Sequence, residues 1–536
     1  MAMAGEYDYI IVGAGSAGCV LANRLTESGT HRVLLLEAGP EDRNLWLHVP
    51  AGYGRLYMDP RYYWGFETEP EAQLNGRTAV IPRGKVLGGS SAVNGLVYIR
   101  GQREDYDEWK SLGNEGWGYE DVLPYFRKSE DQQRGANRYH GVGGPQGVSD
   151  PRDTHEICDA FIAAAGQAGI PRNDDFNGER QAGAGYYQST AKGGWRISTA
   201  TGFLKPVRGR SNLDVQTGAL LRRVLVESGE ARGVEYARNG TVVQARARRE
   251  VILCGGAINS PQLLQLSGIG PGELLRQHGI KVLHDLPGVG RGLRDHCNIW
   301  LAYRSHKSGT LNDYAGSLWG KMRLAARYAL TRSGLLAQGP GYAGMFFATG
   351  QRGALPDIQV HMMLFSRGKT ATELHDFPGY SVSMCNVRPQ SEGTVEIRSS
   401  HPEDAPKIHF NYLDTEYDRK TMMQGLRKLL EVMRQPALAP YNAGAIEFDG
   451  HASSDEALMA ILRERGGSTM HAARTCRMGQ DAGAVLDSRL RVRGVGRLRV
   501  IDASSMPDIS AGNTNAPVIM MAEKGADLIK EDARAA

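Results

Sequence analysis

The chain lacks the features that mark several common protein classes. Its six cysteines, Cys19, Cys158, Cys254, Cys297, Cys385 and Cys476, are scattered, and no two form a C-x-x-C pair. That spacing argues against a zinc site or a disulfide framework and for a reducing compartment. No apolar run approaches the ~20 residues of a membrane span. Nothing before Tyr7 has the basic and apolar regions of a signal peptide, so a cytoplasmic location is expected. Peripheral contact with a membrane, the inner membrane included, stays open. Neither sign of charge dominates: 63 Lys and Arg stand against 59 Asp and Glu, a net of +4. The densest basic stretch, Arg246–Arg249, is broken by Ala247 and runs into an apolar strand. No nucleic-acid partner is expected.

Glycine is abundant instead, at 68 of 536 residues. This suits many tight turns and close backbone approaches to a ligand. Hydrophobic residues make up 41%, enough for a large core. The length allows three or four units, or two large interleaved ones.

The first motif stands at the N-terminus. YDYIIV, Tyr7–Val12, reads as a buried strand and leads into GAGSAG. Gly13, Gly15 and Gly18 keep G-x-G-x-x-G spacing, Cys19–Thr26 follows as a helix, and a second strand, Arg32–Leu36, ends at Glu37. This is a βαβ dinucleotide fingerprint. Gly13 makes the turn, Gly15 admits the pyrophosphate, and Gly18 lets the helix pack on the strand. The helix start, with Ser16 and Ala17, faces the phosphates. Glu37, followed by Ala38, is placed for a ribose hydroxyl. The motif alone does not separate FAD from NAD.

Further on, Arg222–Cys254 reads as a strand, hairpin and strand, with turns at Ser228-Gly229 and Asn239-Gly240. A β-meander inserted in a doubly wound sheet suits a domain that wraps a long dinucleotide. A helix is expected over Ser260–Leu266, with Pro261 near its start.

Two longer segments carry a resemblance. Gly84–Asp107, GKVLGGSSAVNGLVYIRGQREDYD, and Gly256–Gly270, GAINSPQLLQLSGIG, resemble the two characteristic patterns of glucose–methanol–choline oxidoreductases. The likeness runs from Tyr7 to Ile529 and looks closest to the bacterial FAD-dependent alcohol and choline dehydrogenases. Asp285–His296, DLPGVGRGLRDH, is also similar to that branch. The resemblance implies an α/β fold in which a Rossmann-like FAD domain (residues 1–155, 210–300 and 466–536) interleaves with a smaller substrate domain (156–209 and 301–465) built on an antiparallel sheet. It implies cofactor contacts at Val86, Gly89, Ser90, Asn94, Gly95, Leu96, Val97 and Val224. Some members link the flavin covalently to a histidine where this chain has Val93, so non-covalent FAD is expected.

The C-terminal segments complete the site that the resemblance implies. His471 matches a histidine beside the flavin and is the expected base. Asn513 matches a position that holds His or Asn and is the expected hydrogen-bond donor to the alcohol oxygen. Asp502 and Ala503 match a stretch along the pyrophosphate and ribityl chain; Thr514, Asn515 and Ala516 lie against the flavin. The last helix, with Asn515 and Pro517 at its start, points its positive end at the cofactor. One departure stands out: the branch usually has Pro after the histidine, and here Ala472, Ala473 and Arg474 follow. By composition alone, His296, His361 and His451 would serve as well as His471.

Trp64 is expected to wall the substrate pocket, and Gly95 to leave room in it. The expected substrate is a neutral primary alcohol, oxidised to an aldehyde by hydride transfer to flavin. The electrons then pass to a quinone, a dye-like acceptor or oxygen. Alternatives are an oxygen-using oxidase and a redox-silent FAD protein of the hydroxynitrile-lyase type. No metal is expected. Leu311–Ala337 reads as helical, with Leu318, Met322, Ala325 and Ala329 forming a face expected to pack on the domain.

Overall fold

Two seven-stranded sheets organise the chain in the computed structural model, which describes residues 2–368 and 373–535. The first half supplies β1 (Ala2–Val12), α1 (Ser16–Leu25), β2 (Val33–Leu36), β3 (Gly183–Tyr186), β4 (Leu213–Gln216), β5 (Ala219–Glu227), β6 (Glu230–Arg238), β7 (Thr241–Leu253) and α2 (Gly256–Leu266). The second half supplies β8 (Cys297–Ser305), α3 (Leu311–Ala315), α4 (Leu318–Thr331), β9 (Ala343–Phe347), β10 (Ile358–Met363), β11 (Gly379–Asn386), β12 (Asn442–Ala445), β13 (Gly466–Ser468), β14 (Leu498–Val500) and α5 (Asn515–Ala535).

The first sheet runs β4-β2-β1-β7-β6-β5, with β14 on the C-terminal half of β7. Its β4, β2, β1, β7 and β14 are parallel. Ile10–Ile11, Val33–Leu36 and Val251–Leu253 are buried, as expected for parallel strands covered on both faces. The β5-β6-β7 meander is antiparallel. Ser228-Gly229 and Asn239-Gly240, all at positive φ, make its two hairpin turns. Gly18 lies against β1: a Cβ there would sit 1.9 Å from the Gly13 carbonyl oxygen.

The second sheet runs β12-β8-β11-β10-β9-β3, with β13 on β8, and is antiparallel throughout. The chain crosses between the sheets repeatedly, so each is assembled from distant segments.

Two expectations need correction. The helix containing Pro261 begins at Gly256, so the proline lies inside it. A helix-interior proline frees the carbonyl four residues back. Here that is Ala257, which accepts the Thr475 hydroxyl at 2.6 Å. The expected Leu311–Ala337 helix breaks at Gly316-Ser317 and its second part ends at Thr331. The face holding Leu318, Met322, Ala325 and Ala329 is turned to solvent. Tyr328, to one side of that face, does the packing, with its hydroxyl on the Gly194 carbonyl at 2.9 Å.

Candidate active site

A cavity of about 620 Å³ runs between the two sheets. Two helix starts converge on it. Gly13, Gly15, Ser16 and Ala17 bring in the N-terminus of α1; Asn513, Thr514 and Asn515 bring in that of α5. Ser16 Oγ donates to Asn515 Oδ1 at 2.7 Å and holds the two starts together. Each helix start offers free N–H groups and a partial positive charge. The cavity thus has two anion-stabilising points along its length.

The dinucleotide half fits FAD. Gly13 has φ +100°, and a Cβ on it would meet the Cys254 carbonyl oxygen at 2.5 Å. A Cβ on Gly89 would meet Gly15 Cα at 2.6 Å, so the Gly-Gly-Ser-Ser loop packs directly on the fingerprint. Glu37 accepts from the Ala14 and Gly39 N–H groups at 2.9 and 2.8 Å. Burial pushes its pKa up to about 7 against the pull of those N–H groups. Its oxygens line the cavity with acceptor capacity left for a hydroxyl pair. Across the same end of the sheet, just past β14, Asp502 accepts from Ser260, Ser504 and the Gly256 N–H.

All the site residues expected from sequence line this cavity except Gly18, Val86, Val224 and Ala516. Gly18 packs on the strand. Val86 is buried in a small cluster with Tyr63 and Val93. Ala516 points into the core behind α5. Val224 gives its N–H to Ser267 Oγ at 2.8 Å, and its side chain is in the core. Ala219, Leu220 and Leu221, at the other end of β5, line the cavity instead.

The reacting end is a polar cluster in an apolar setting. His471 Nε2 lies 3.1 Å from Asn513 Nδ2, and His471 Nδ1 lies 3.0 Å from His296 Nδ1. Gln359 Nε2 donates to Asn513 Oδ1 at 3.1 Å. That contact turns the Asn513 NH₂ toward His471, so His471 Nε2 must be the acceptor. The proton of neutral His471 therefore sits on Nδ1 and is shared with His296, leaving the Nε2 lone pair beside the Asn513 donor. Asp295 fixes the loop from below: it accepts from the His471 N–H at 2.8 Å, from the Tyr412 hydroxyl at 2.7 Å and from Ser468 Oγ. Arg83 Nη1 holds the Met470 carbonyl at 2.5 Å.

Burial keeps these rings neutral. It lowers His296 to about 3 and His361, a cavity-lining neighbour on β10, to about 4. It also carries His471 well below the usual histidine value, with His296, His361 and Arg83 adding to the effect. The shift of His471 is large because three imidazoles and a guanidinium share one desolvated region. His451 is exposed and outside the cavity.

Arg474 does not line the cavity and is mostly buried. It donates to the Pro507 carbonyl at 2.8 Å and pairs with Glu392 at 2.7 Å. Ala473 exchanges backbone hydrogen bonds with Arg294. These ties hold the loop that a proline would otherwise stiffen. Gln359, His361, Asp295 and His296 were not assigned from sequence. One signal was available: Gln359 and His361 are polar residues two apart, hence on one face, in the otherwise apolar strand IQVHMM.

A family model described as GMC oxidoreductase matches residues 7–298 and 389–522. An oxygen-dependent choline dehydrogenase of Photobacterium profundum is 43% identical over 98% of this chain and 93% of its own. The mitochondrial choline dehydrogenase of Mus musculus is 42% identical over 98% and 89%. Among solved structures, the pyridoxine 4-oxidase from Mesorbium loti superposes with a TM-score of 0.88 at 30% identity, covering 97% of this chain and 98% of that one.

The depressed histidines set a pH dependence. Above pH 6.5 neither folded nor unfolded chain protonates these rings. As pH falls from 6.5 through about 4, only the unfolded chain takes up protons, so stability is lost. His361→Gln should flatten the loss across that window by up to about 1.4 kcal/mol per pH unit. Melting midpoints of both holoenzymes against pH test this; parallel curves would refute it.

Proposed function

The chain belongs to the GMC oxidoreductase family, FAD-dependent enzymes that oxidise CH–OH donors, and from that premise we propose that it is a dehydrogenase converting a neutral primary alcohol to an aldehyde. The observation that carries this reading is the paired His471 Nε2 and Asn513 Nδ2, 3.1 Å apart on the cavity wall. FAD, when bound, supplies the hydride acceptor. Gly13, Gly15 and Glu37 hold its adenosine and pyrophosphate part, and Val93, Asn94, Gly95 and Leu96 line the flavin end. The two sheets support a reading as two interleaved domains, residues 1–155, 210–300 and 466–536 for FAD and 156–209 and 301–465 for substrate, although β13 and the start of β8, inside the FAD bounds, pair in the second sheet.

A carbonyl product forms only if the hydroxyl proton also leaves. His471 takes that proton at Nε2, the atom the hydrogen-bond network leaves unprotonated. Asn513 donates to the same alcohol oxygen as negative charge grows on it. Gln359 keeps the amide from flipping, so the donor is already aimed. Loss of one such donor costs about a hundredfold in rate.

Substrate charge follows from the wall. Trp300, Phe365, Tyr53 and Tyr57 make the substrate end aromatic. Trp64 stacks on Phe66 with centroids 5.8 Å apart. The carboxylates lining the cavity among the described residues are Glu37 and Asp502, both at the dinucleotide end. At the substrate end Arg367 lies 4.3 Å from the Trp300 ring centroid. A quaternary ammonium needs an acid and open aromatic faces; here a guanidinium occupies the face. This favours an uncharged alcohol, although the relatives above are named for choline. A Cβ on Gly95 would meet Pro340 at 3.1 Å, so glycine keeps this part of the pocket open.

Val93 has no nucleophilic atom, so the flavin is held non-covalently. Acid precipitation should release all yellow colour to the supernatant; colour kept in the pellet would contradict this.

His471→Ala and Asn513→Ala should retain FAD but slow anaerobic flavin bleaching by the alcohol at least about a hundredfold in stopped flow. Near wild-type bleaching by His471→Ala would remove the base assignment. Bleaching by no alcohol at all would favour the lyase alternative.

The substrate reading is tested by comparing choline with its carbon isostere, in which a tert-butyl group replaces the trimethylammonium. The isostere should give at least about a tenfold higher kcat/KM, because it fills the same aromatic space without the cost of desolvating a cation. A preference for choline would overturn it.

A further inference from the structure

Helix α4 is built inside out. Its one fully buried side chain is Tyr328, packed with Val49 and Ala337 and edge-on to Trp195. Leu318, Trp319, Met322 and Leu330 are 74%, 80%, 52% and 84% exposed. At about 100° per residue these four, together with Ala325, span one arc of roughly 140°. Ala325, Ala326 and Ala329, also exposed, fill the same arc. A surface helix normally hides such a stripe. This one presents it outward, so the stripe does not serve the fold.

The charges say what it meets. Residues 318–331, LWGKMRLAARYALT, contain three cations and no acid. Lys321 lies just beyond one edge of the apolar arc and Arg323 just beyond the other, both exposed. Arg327 is on the inner side, paired with Asp153 at 2.8 Å. An apolar face flanked on both sides by cations is the pattern of a helix lying in the plane of a bilayer, with the basic stems reaching anionic headgroups. A second copy of the chain is a poor occupant. Two-fold pairing on this face would set Lys321 and Arg323 against their own copies.

We propose that α4 docks the protein on an anionic lipid surface. The fold gives this a consequence. The chain leaves α4 through Gly334 and enters the cavity wall at Leu335 and Leu336; Leu311, at the start of α3, lines it as well. Docking through α4 therefore brings the substrate end of the cavity to the bilayer, where lipophilic alcohols and acceptors dissolve. This does not depend on which alcohol is oxidised. Among the described residues no helix is long and apolar enough to cross a membrane, so the contact is peripheral.

The test is flotation of the holoenzyme with vesicles of phosphatidylcholine alone and of phosphatidylcholine with about one third phosphatidylglycerol. The protein should float with the anionic vesicles and far less with the neutral ones. The double variant Leu318→Ser, Trp319→Ser should lower the partition coefficient at least about tenfold. Lys321→Glu with Arg323→Glu should lower it about tenfold or more, since each basic residue near an anionic surface contributes about fivefold. Both variants should keep wild-type turnover with a soluble dye acceptor. The proposal is overturned if the wild type stays in solution with both vesicles, if the variants float as well as the wild type, or if gel filtration shows a dimer that these variants dissolve.

Discussion

The hydrogen bond between Ser16 and Asn515 joins residues nearly the whole chain apart and fixes the geometry on which the site depends. It sets the N-termini of α1 and α5 side by side at one cavity. A partly buried ion pair of Arg24 with Glu523, at 2.7 Å, extends the contact along the two helices. The sheet below makes the meeting obligatory. β7 accepts β1 on one side and β14 on the other, so the strands that feed both helices leave the same sheet edge in the same direction. Parallel strands deliver helix starts to one end of a sheet, and ligands bind there. Two helix dipoles thus converge on one elongated cavity.

The chemistry depends on a second constraint, desolvation. Three histidines and Arg83 share the region around His471, and burial holds the imidazoles neutral. A neutral imidazole with a directed lone pair accepts a proton; an imidazolium does not. Direction is supplied from outside the catalytic pair. Gln359 orients Asn513, Asn513 orients His471 Nε2, and His296 takes the other nitrogen. Asp295 anchors the backbone of the same loop. The nitrogen of His471 that stays unprotonated is thus chosen by a chain of hydrogen bonds drawn from β10, the end of the Asp285–His296 segment and the start of α5.

Much of this was legible in the sequence because it is local. Strand, glycine turn, helix and acid follow one another over Tyr7–Glu37, and each step has a short-range physical cause. The meander turns carried their own signature, Ser-Gly and Asn-Gly. Errors arose where a distant partner decides. Pro261 read as a helix start, yet the helix runs through it because Thr475 satisfies the carbonyl that the proline leaves free. The apolar stripe of α4 read as core packing, and the periodicity was right; only the docking of Tyr328 shows that the stripe faces outward.

The sequence by itself determined the dinucleotide fingerprint, the presence of a parallel sheet with an inserted meander, and the residue types at His471 and Asn513. These depend on neighbours a few positions away, where spacing and geometry are nearly the same thing. Only the tertiary structure decided which nitrogen of His471 is free, that His296 and His361 share its environment, where Arg474 goes, and that Arg367 reaches the cavity beside Trp300. Those outcomes are set by burial and by contacts between segments far apart in the chain. Desolvation and hydrogen-bond direction are properties of the assembled cavity, and no single segment contains them.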